Sequence, residues 1–218
     1  ASAVVDVKDY LSADKWTDDG GDVTVSADKI LFNNGMGGDF AALKMVDEFD
    51  TVTYRFNIKL EDLPTGLSEE EGTWWDSELV FMVRAKVAGT TYTDGQAGYC
   101  ITSFGDHSGF YVGKSGNDDY FTKSPIAWDL ADGKEHSVEF SVENNADGSV
   151  SLKLAVDDKV LFEGVDKGEV SGDKKVEQQK KIHTDKGALM IRCKYMTATI
   201  TPFTGKGTAS TDTSSADT

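Results

Sequence analysis

The stretch from Asp50 to Leu60 alternates strictly between two kinds of residue, and this alternation is the strongest constraint on the fold. The residues of one parity are Val52, Tyr54, Phe56, Ile58 and Leu60, and the residues of the other are Thr53, Arg55, Asn57 and Lys59. Successive side chains of a β-strand point to opposite faces of its sheet. The pattern therefore predicts a strand with one buried face and one polar face.

Similar alternating runs recur along the chain, separated by Asn, Asp and Gly. The clearest hairpin joins residues 136–143 to residues 150–156 through the Asn144–Gly148 turn. We predict roughly ten to twelve strands and no helix longer than about three turns. The sequence thus predicts an all-β fold, a single antiparallel β-sandwich of the jelly-roll type. A length of 218 residues, 39% of them hydrophobic, suits one such domain.

The chain is strongly acidic, with a formal net charge of −16. Nucleic acids and anionic membrane surfaces bind basic proteins, so we predict neither as a partner. No run approaches the roughly 18 consecutive apolar residues that a membrane-spanning helix needs.

The last residues differ in composition from the rest. Residues 204–218 are rich in Ser, Thr and Gly and contain no core residues, so we predict a linker or disordered tail after a domain of residues 1–203. Such a tail indicates a module of a longer protein. The N-terminal sequence ASAVVDVKDY is compatible with the mature end left by a cleaved signal peptide, and we expect a secreted or cell-surface protein.

Two cysteines, Cys100 and Cys193, fall in separate predicted strands. The parity of Cys193 matches that of Leu189 and Ile191, which points its side chain at the core. A disulfide and a pair of buried thiols both remain open.

The order of several segments resembles a known family. An early Trp16 and a Gly-rich segment precede the strands VTYRFNIKL, ELVFMVRAK and GYCITSF, which are followed by DGKEHSVEFSV, by GSVSLKLAVDDKVLFEGVD and by a final GALMIR. Over residues 16–203 this order resembles the concanavalin A-like and laminin G-like jelly rolls. These domains occur in lectins and in carbohydrate-binding modules of bacterial glycan-degrading or glycan-adhering proteins.

The resemblance implies non-catalytic binding of a polysaccharide or oligosaccharide, either a starch-like α-glucan or a plant cell-wall glycan. Some relatives of this fold are glycoside hydrolases with a Glu-x-Asp-x-x-Glu strand. The nearest match here is Glu48-Phe49-Asp50-Thr51-Val52-Thr53, in which Thr53 replaces the second glutamate. Glycoside hydrolysis needs two facing carboxylates, so we predict that the chain is not an enzyme. A hydrolase or lyase and a protein-adhesion domain remain the alternatives.

Candidate ligand-binding residues come from three patterns. Aromatic rings in predicted loops can stack on sugar rings; the candidates are Trp74, Trp75, Tyr92, Phe104, Tyr111, Tyr120, Phe121 and Trp128. The three arginines, Arg55, Arg84 and Arg192, share an outward parity, and guanidinium groups can bind vicinal hydroxyls. The Gly105–Gly109 turn carries Asp106 and His107.

From these patterns we predict a ligand site of seven residues: Trp74, Trp75, Arg84, Tyr92, Asp106, His107 and Tyr111. Each pattern has an ordinary structural alternative. The aromatic rings can belong to the core, the arginines can pair across strands with Glu139 and Glu143, and the turn can be solvated.

No cofactor is predicted. Calcium remains open because of the resemblance, although no D-x-[DN]-x-[DN]-G loop is present. The candidate calcium sites are Asp18–Asp22 and Asn117–Asp119.

Overall fold

The computed structural model describes residues 2–34, 41–62, 77–86, 98–114, 122, 124–170 and 179–208. Two sheets pack face to face, which confirms the predicted all-β sandwich. Sheet A consists of β1 (Ala3–Asp6), β3 (Val23–Val25), β4 (Ile30–Asn34), β6 (Val52–Asp62), β11 (His136–Asn144), β12 (Val150–Val156), β13 (Lys159–Asp166) and β15 (Met196–Thr201). Sheet B consists of β2 (Trp16–Asp19), β5 (Ala41–Met45), β7 (Glu78–Ala85), β8 (Tyr99–Phe104), β9 (Gly109–Lys114), β10 (Ile126–Ala127) and β14 (Ala188–Lys194).

The strand order in sheet A is β13-β12-β11-β6-β15-β4-β3, and β1 runs parallel to β6. The order in sheet B is β10-β9-β8-β7-β14-β5-β2. Every pairing except that of β1 is antiparallel. Two short 3-10 turns follow β1, at Val7–Tyr10 and Ala13–Lys15. Among the described residues, no helix is long and apolar enough to cross a membrane.

The main core lies between the two sheets. The apolar parity of β6 points into it as predicted, and its five side chains are each at most 2% exposed. Across the interface, the rings of Phe56 and Phe81 lie 4.9 Å apart between centroids. Removal of this apolar surface from water is the main stabilising contribution to such a sandwich.

A second apolar cluster lies on the opposite face of sheet B. It consists of Ala42, Val80, Met82, Ala85, Cys100 and Met190. Strand β7 is therefore buried on both faces, which explains its nearly continuous apolar sequence. Cys100 belongs to this cluster whereas Cys193 belongs to the main core, so the two buried thiols lie on opposite faces of the sheet and form no disulfide.

A β-bulge interrupts β7 next to Arg84. Met82 pairs with Met190 and Ala85 pairs with Ala188, so three steps along β7 match two steps along β14. Arg84 has a left-handed φ of 62°. The neighbouring Gly187 permits this geometry, because a Cβ there would lie 2.5 Å from the Arg84 backbone.

Residues 203–208, here called the C-terminal strap, cross the outer face of sheet A. Asn57 Nδ2 donates to Thr204 Oγ1 at 2.8 Å, and the Thr204 N–H donates to Asn57 Oδ1 at 3.1 Å. The Asp158 carboxylate accepts the Lys206 and Gly207 N–H groups, and Glu139 accepts the Thr208 N–H at 2.6 Å. The division into residues 1–203 and 204–218 stays a prediction, although the first residues of the second segment are held against the sandwich.

Candidate functional site

Of the seven predicted ligand residues, the four that the structure describes, Arg84, Asp106, His107 and Tyr111, do not all lie together. Trp74, Trp75 and Tyr92 lie outside the described residues. Arg84 lies near the end of β7, whereas the turn that carries Asp106 and His107 is bonded to the start of β7, with the Gly105 N–H 3.1 Å from the Ser77 carbonyl oxygen. Seven residues of strand separate the two regions by about 23 Å.

Arg84 is buried, with 1% of its surface exposed, so the predicted outward orientation is wrong. Its guanidinium donates to the carbonyl oxygens of His183 and Asp50, the latter at 2.8 Å. The bulge explains the error, because an extra residue with positive φ breaks the alternation on which the parity argument depends. Burial lowers the pKa of Arg84. Its contacts indicate a structural role.

Arg84 belongs to a buried polar network that connects the two sheets. The Tyr99 hydroxyl donates to Asp166 at 2.7 Å and accepts the His183 N–H at 3.0 Å. Lys114 lies 2.9 Å from Asp166 and also donates to the Gln179 carbonyl oxygen. Burial, then the hydrogen bond to Asp166, raises the pKa of Tyr99, and burial with the nearby Lys181 and Lys114 lowers the pKa of His183 to about 4. Apart from Arg84 Nε, which has no hydrogen-bond partner among the described residues, the contacts named here pair these groups with one another away from solvent, as in a structural network.

His107 is fully buried rather than solvated. Its Nε2 lies 2.9 Å from Ser77 Oγ and its Nδ1 lies 2.9 Å from Ser103 Oγ. Burial lowers the pKa of His107 to about 4. A nucleophilic serine needs access to substrate and a base that a third group orients. Ser103 is 2% exposed and both ring nitrogens are bound by serines, so the contacts of this cluster join the turn to the start of β7 and to β8.

The remaining predicted residues lie at the surface. Asp106 is exposed, and its carboxylate accepts the Ser108 N–H at 3.0 Å, which lowers the pKa of Asp106. Tyr111 is half-buried on β9. Trp128, which the sequence placed among exposed aromatics, is 6% exposed and packs edge-to-face on Phe110, with 5.8 Å between ring centroids. Its prediction as an exposed ring is wrong.

The arginines do not form one polar floor. Arg55 lies in sheet A and pairs with Glu139 at 2.8 Å, which confirms the cross-strand alternative for this residue. Arg192 lies in sheet B and forms an ion pair with Glu78. The outward positions of β7 are Glu78, Val80 and Met82, so this strand face carries a single carboxylate, already paired with an arginine.

An open depression of about 500 Å³ lies on the outer face of sheet A and is here called the sheet A groove. It crosses β6, β11, β12 and β13. Strand register forms one lining row from Thr53, Ser141, Lys153 and Glu163. The next row contains Glu143, Ser151 and Val165.

The lining of the groove mixes hydrogen-bond donors, acceptors and a small apolar strip. Within the part of the chain that the structure describes, no carboxylate lies within 4.0 Å of the Lys153 ammonium. Glu163 is its direct cross-strand neighbour. Gly164 contributes only its backbone to the lining, and the adjacent Val165 is 49% exposed. These two residues form the apolar strip. The groove can therefore donate hydrogen bonds to hydroxyl groups and accept hydrogen bonds from them.

The sheet A groove is not among the sites that we predict from the sequence. One signal in the sequence does point to this face. Within residues 136–156, polar side chains alternate with core residues and therefore share the outer face of the sheet; they are Ser141, Glu143, Ser151 and Lys153.

The calcium candidates do not gain support. No group of three or more His, Cys, Asp or Glu side chains that could hold a metal occurs in the described ranges, which include Asp18–Asp22. The other candidate, Asn117–Asp119, lies outside them.

No protein-family model matches the chain, and no curated protein matches its sequence. Solved structures do share its architecture. The carbohydrate-binding module CBM66 from Bacillus subtilis is 13% identical, with a TM-score of 0.56 over 87% of this chain and 93% of that chain. The Emp47p carbohydrate recognition domain is 12% identical, with a TM-score of 0.57 over 92% of this chain and 94% of that chain. A Bacillus licheniformis β-glucanase is 12% identical, with a TM-score of 0.52 over 89% of this chain and 94% of that chain.

The fold is a concanavalin-like jelly roll. At these identities the likeness shows the fold alone, because one such fold carries both binding and catalytic sites.

Proposed function

We propose that this chain is a non-catalytic glycan-binding module and that the sheet A groove contacts the glycan. The groove itself is the observation that carries the proposal. Its volume of about 500 Å³ lies within the range of ligand sites, and its lining combines charged hydrogen-bonding groups with an apolar strip. The architecture shared with a carbohydrate-binding module and a carbohydrate recognition domain supports the same conclusion.

The chemistry of the lining matches a polyhydroxylated chain. Each sugar hydroxyl both donates and accepts, so Lys153 can donate to one hydroxyl while Glu163 or Glu143 accepts from its neighbour. The C–H face of a sugar ring can lie against Gly164 and Val165. With a net charge of −16, we expect neutral glycans, either starch-like or from plant cell walls, and not polyanionic ones.

The incomplete hydrolase motif favours binding over hydrolysis, and we assign the carboxylates of the groove, Glu143 and Glu163, to hydroxyl binding. Hydrolysis needs an acid and a second carboxylate about 5–10 Å apart across the bond that is cleaved. Strand β7 presents Glu78 alone on its outer face, and Glu48–Thr53 lacks the second glutamate of the hydrolase motif. Because a β-glucanase shares the fold, the test includes release of reducing sugar.

Affinity electrophoresis through gels that contain starch, mixed-linkage β-glucan, xylan, galactomannan or pectate tests the proposal. We expect one neutral polysaccharide to retard the protein, and Lys153→Ala to weaken that binding about tenfold, which is the effect of losing one charge-assisted hydrogen bond. Lys59→Ala is the matched control, because Lys59 is also an outward lysine of sheet A, but it pairs with Glu61 at 3.1 Å and does not line the groove.

The other outcomes are equally clear. Retardation that survives Lys153→Ala and disappears in Trp74→Ala/Trp75→Ala would move the site to the predicted aromatic pair. Sugar release would make the chain an enzyme. No retardation and no release would favour the protein-adhesion alternative. Secretion and attachment to further domains remain part of the proposal.

A further inference from the structure

A second depression adjoins the sheet A groove. It has a volume of about 470 Å³ and is lined by Ala3, Glu48, Phe49, Asp50, Thr51 and Asn144. Thr51 lines both depressions. Ser2 lines the sheet A groove, and its chain neighbour Ala3 lines the second depression. Likewise, Glu143 lines the sheet A groove and the next residue, Asn144, lines the second depression. The two depressions are therefore contiguous.

Their arrangement gives an elongated binding surface. The sheet A groove crosses four strands, which corresponds to about 14 Å at the usual spacing of strands. The second depression continues this surface past the first residue of β6, Val52, and the last residue of β11, Asn144. Both depressions are open to solvent rather than enclosed.

The second depression adds carboxylate, hydroxyl and amide groups to the lining of the first. Asp50 is exposed, and Glu48 is 3.7 Å from the Lys86 ammonium, with a 28% exposed side chain. These carboxylates supply acceptors for further hydroxyls. Phe49 is half-buried and packs edge-to-face on Tyr54, with 6.1 Å between ring centroids, so its ring belongs to the edge of the main core beneath this depression.

We propose that the two depressions form one trough that binds the interior of a linear, neutral glycan chain rather than a chain end. The inference rests on the proposed glycan-binding function. A site for a chain end encloses the terminal unit, whereas an open trough contacts several successive units along the chain. Each added unit then adds contacts until the trough is filled, and the free ends of the chain make no contribution.

Calorimetry with oligosaccharides of the retarding glycan, from disaccharide to octasaccharide, tests the inference. We expect the dissociation constant to fall with length and then reach a plateau, and to be unchanged when the reducing end is blocked by a methyl glycoside. Lys153→Ala should weaken short and long oligosaccharides alike. Glu48→Ala should weaken only the longer ones, by about fivefold, because they alone reach the second depression. Asp50→Asn provides an independent variant in the same depression, and Lys59→Ala should change nothing.

Different results would reject the trough and the proposed glycan-binding function. Full affinity already at the disaccharide, loss of binding on end-blocking, or equal effects of Glu48→Ala at every length would overturn the trough while leaving glycan binding intact. No binding to any oligosaccharide or polysaccharide by the unmodified protein would reject glycan binding and the trough together.

Discussion

Two buried histidines should make this protein lose stability in mild acid. His107 is 0% exposed and His183 is 6% exposed, and burial holds the pKa of each at about 4, against an ordinary value of 6.5. Because these pKa values are lower in the folded state, the unfolded chain takes up protons first as the pH falls. Stability is therefore fully present above pH 6.5 and is lost progressively as the pH falls towards 4.

The size of the effect follows from the two pKa values. Between pH 7 and pH 5, each histidine should lower the free energy of unfolding by about 2 kcal/mol. Urea unfolding followed by tryptophan fluorescence at both pH values measures the decrease. In His107→Gln and in His183→Gln, the decrease should be about 2 kcal/mol smaller than in the unmodified protein, whatever each variant costs at pH 7.

His136 provides a control of opposite sign. Burial alone would lower the pKa of His136, but hydrogen bonds to Asp157 at 2.7 Å and to Asp132 at 2.9 Å outweigh it and raise the pKa. A raised pKa stabilises the fold at low pH, and this contribution is lost as the pH rises through the folded value. His136→Gln should therefore enlarge the decrease. If all three variants showed the decrease of the unmodified protein, the assignment of these charge states would be wrong.

Three further predictions concern the framework around the groove. Arg84→Met should lower the free energy of unfolding by about 2–5 kcal/mol in urea melts, because two carbonyl oxygens lose their donor; a change below 1 kcal/mol, roughly one net hydrogen bond, would show that solvent reaches them. Gly187→Ala should lower it by about 1–3 kcal/mol, since the new Cβ meets the Arg84 backbone. Gly133 has a positive φ of 71° and, in the described part of the chain, no neighbour within 4 Å of the new Cβ, so Gly133→Ala measures backbone strain without contact. Glu139→Gln should raise amide exchange at Thr208 more than at β15, and equal increases would show that the strap is not an independent unit.

The strands and the core could be predicted from the sequence because their signal is local. A period of two along β6 fixed which side chains point inward, and the structure agrees at every one of its apolar positions. The Asn144–Gly148 turn likewise identified the β11–β12 hairpin.

The errors arise where the decisive contact is distant in sequence. Arg84 turns inward because a bulge meets Gly187, about a hundred positions away, and nothing next to Arg84 marks it. Trp128 looked like a loop aromatic, but Phe110 covers its ring. The sheet A groove needs the register of four strands at once, including β13, whose pairing with β12 contains a bulge. The roles predicted for Trp74, Trp75 and Tyr92 stay predictions.

The C-terminal strap determines how a pulling force at the C-terminal side would act on the sandwich. Tension applied through residues beyond Thr208 would reach Glu139 first, then the Asp158 carboxylate, then Asn57, before it reached β15 in the middle of sheet A. These hydrogen bonds would break one after another while the sandwich stayed folded. Under such a load we expect the strap to lengthen before β15 does, so that the groove keeps its shape.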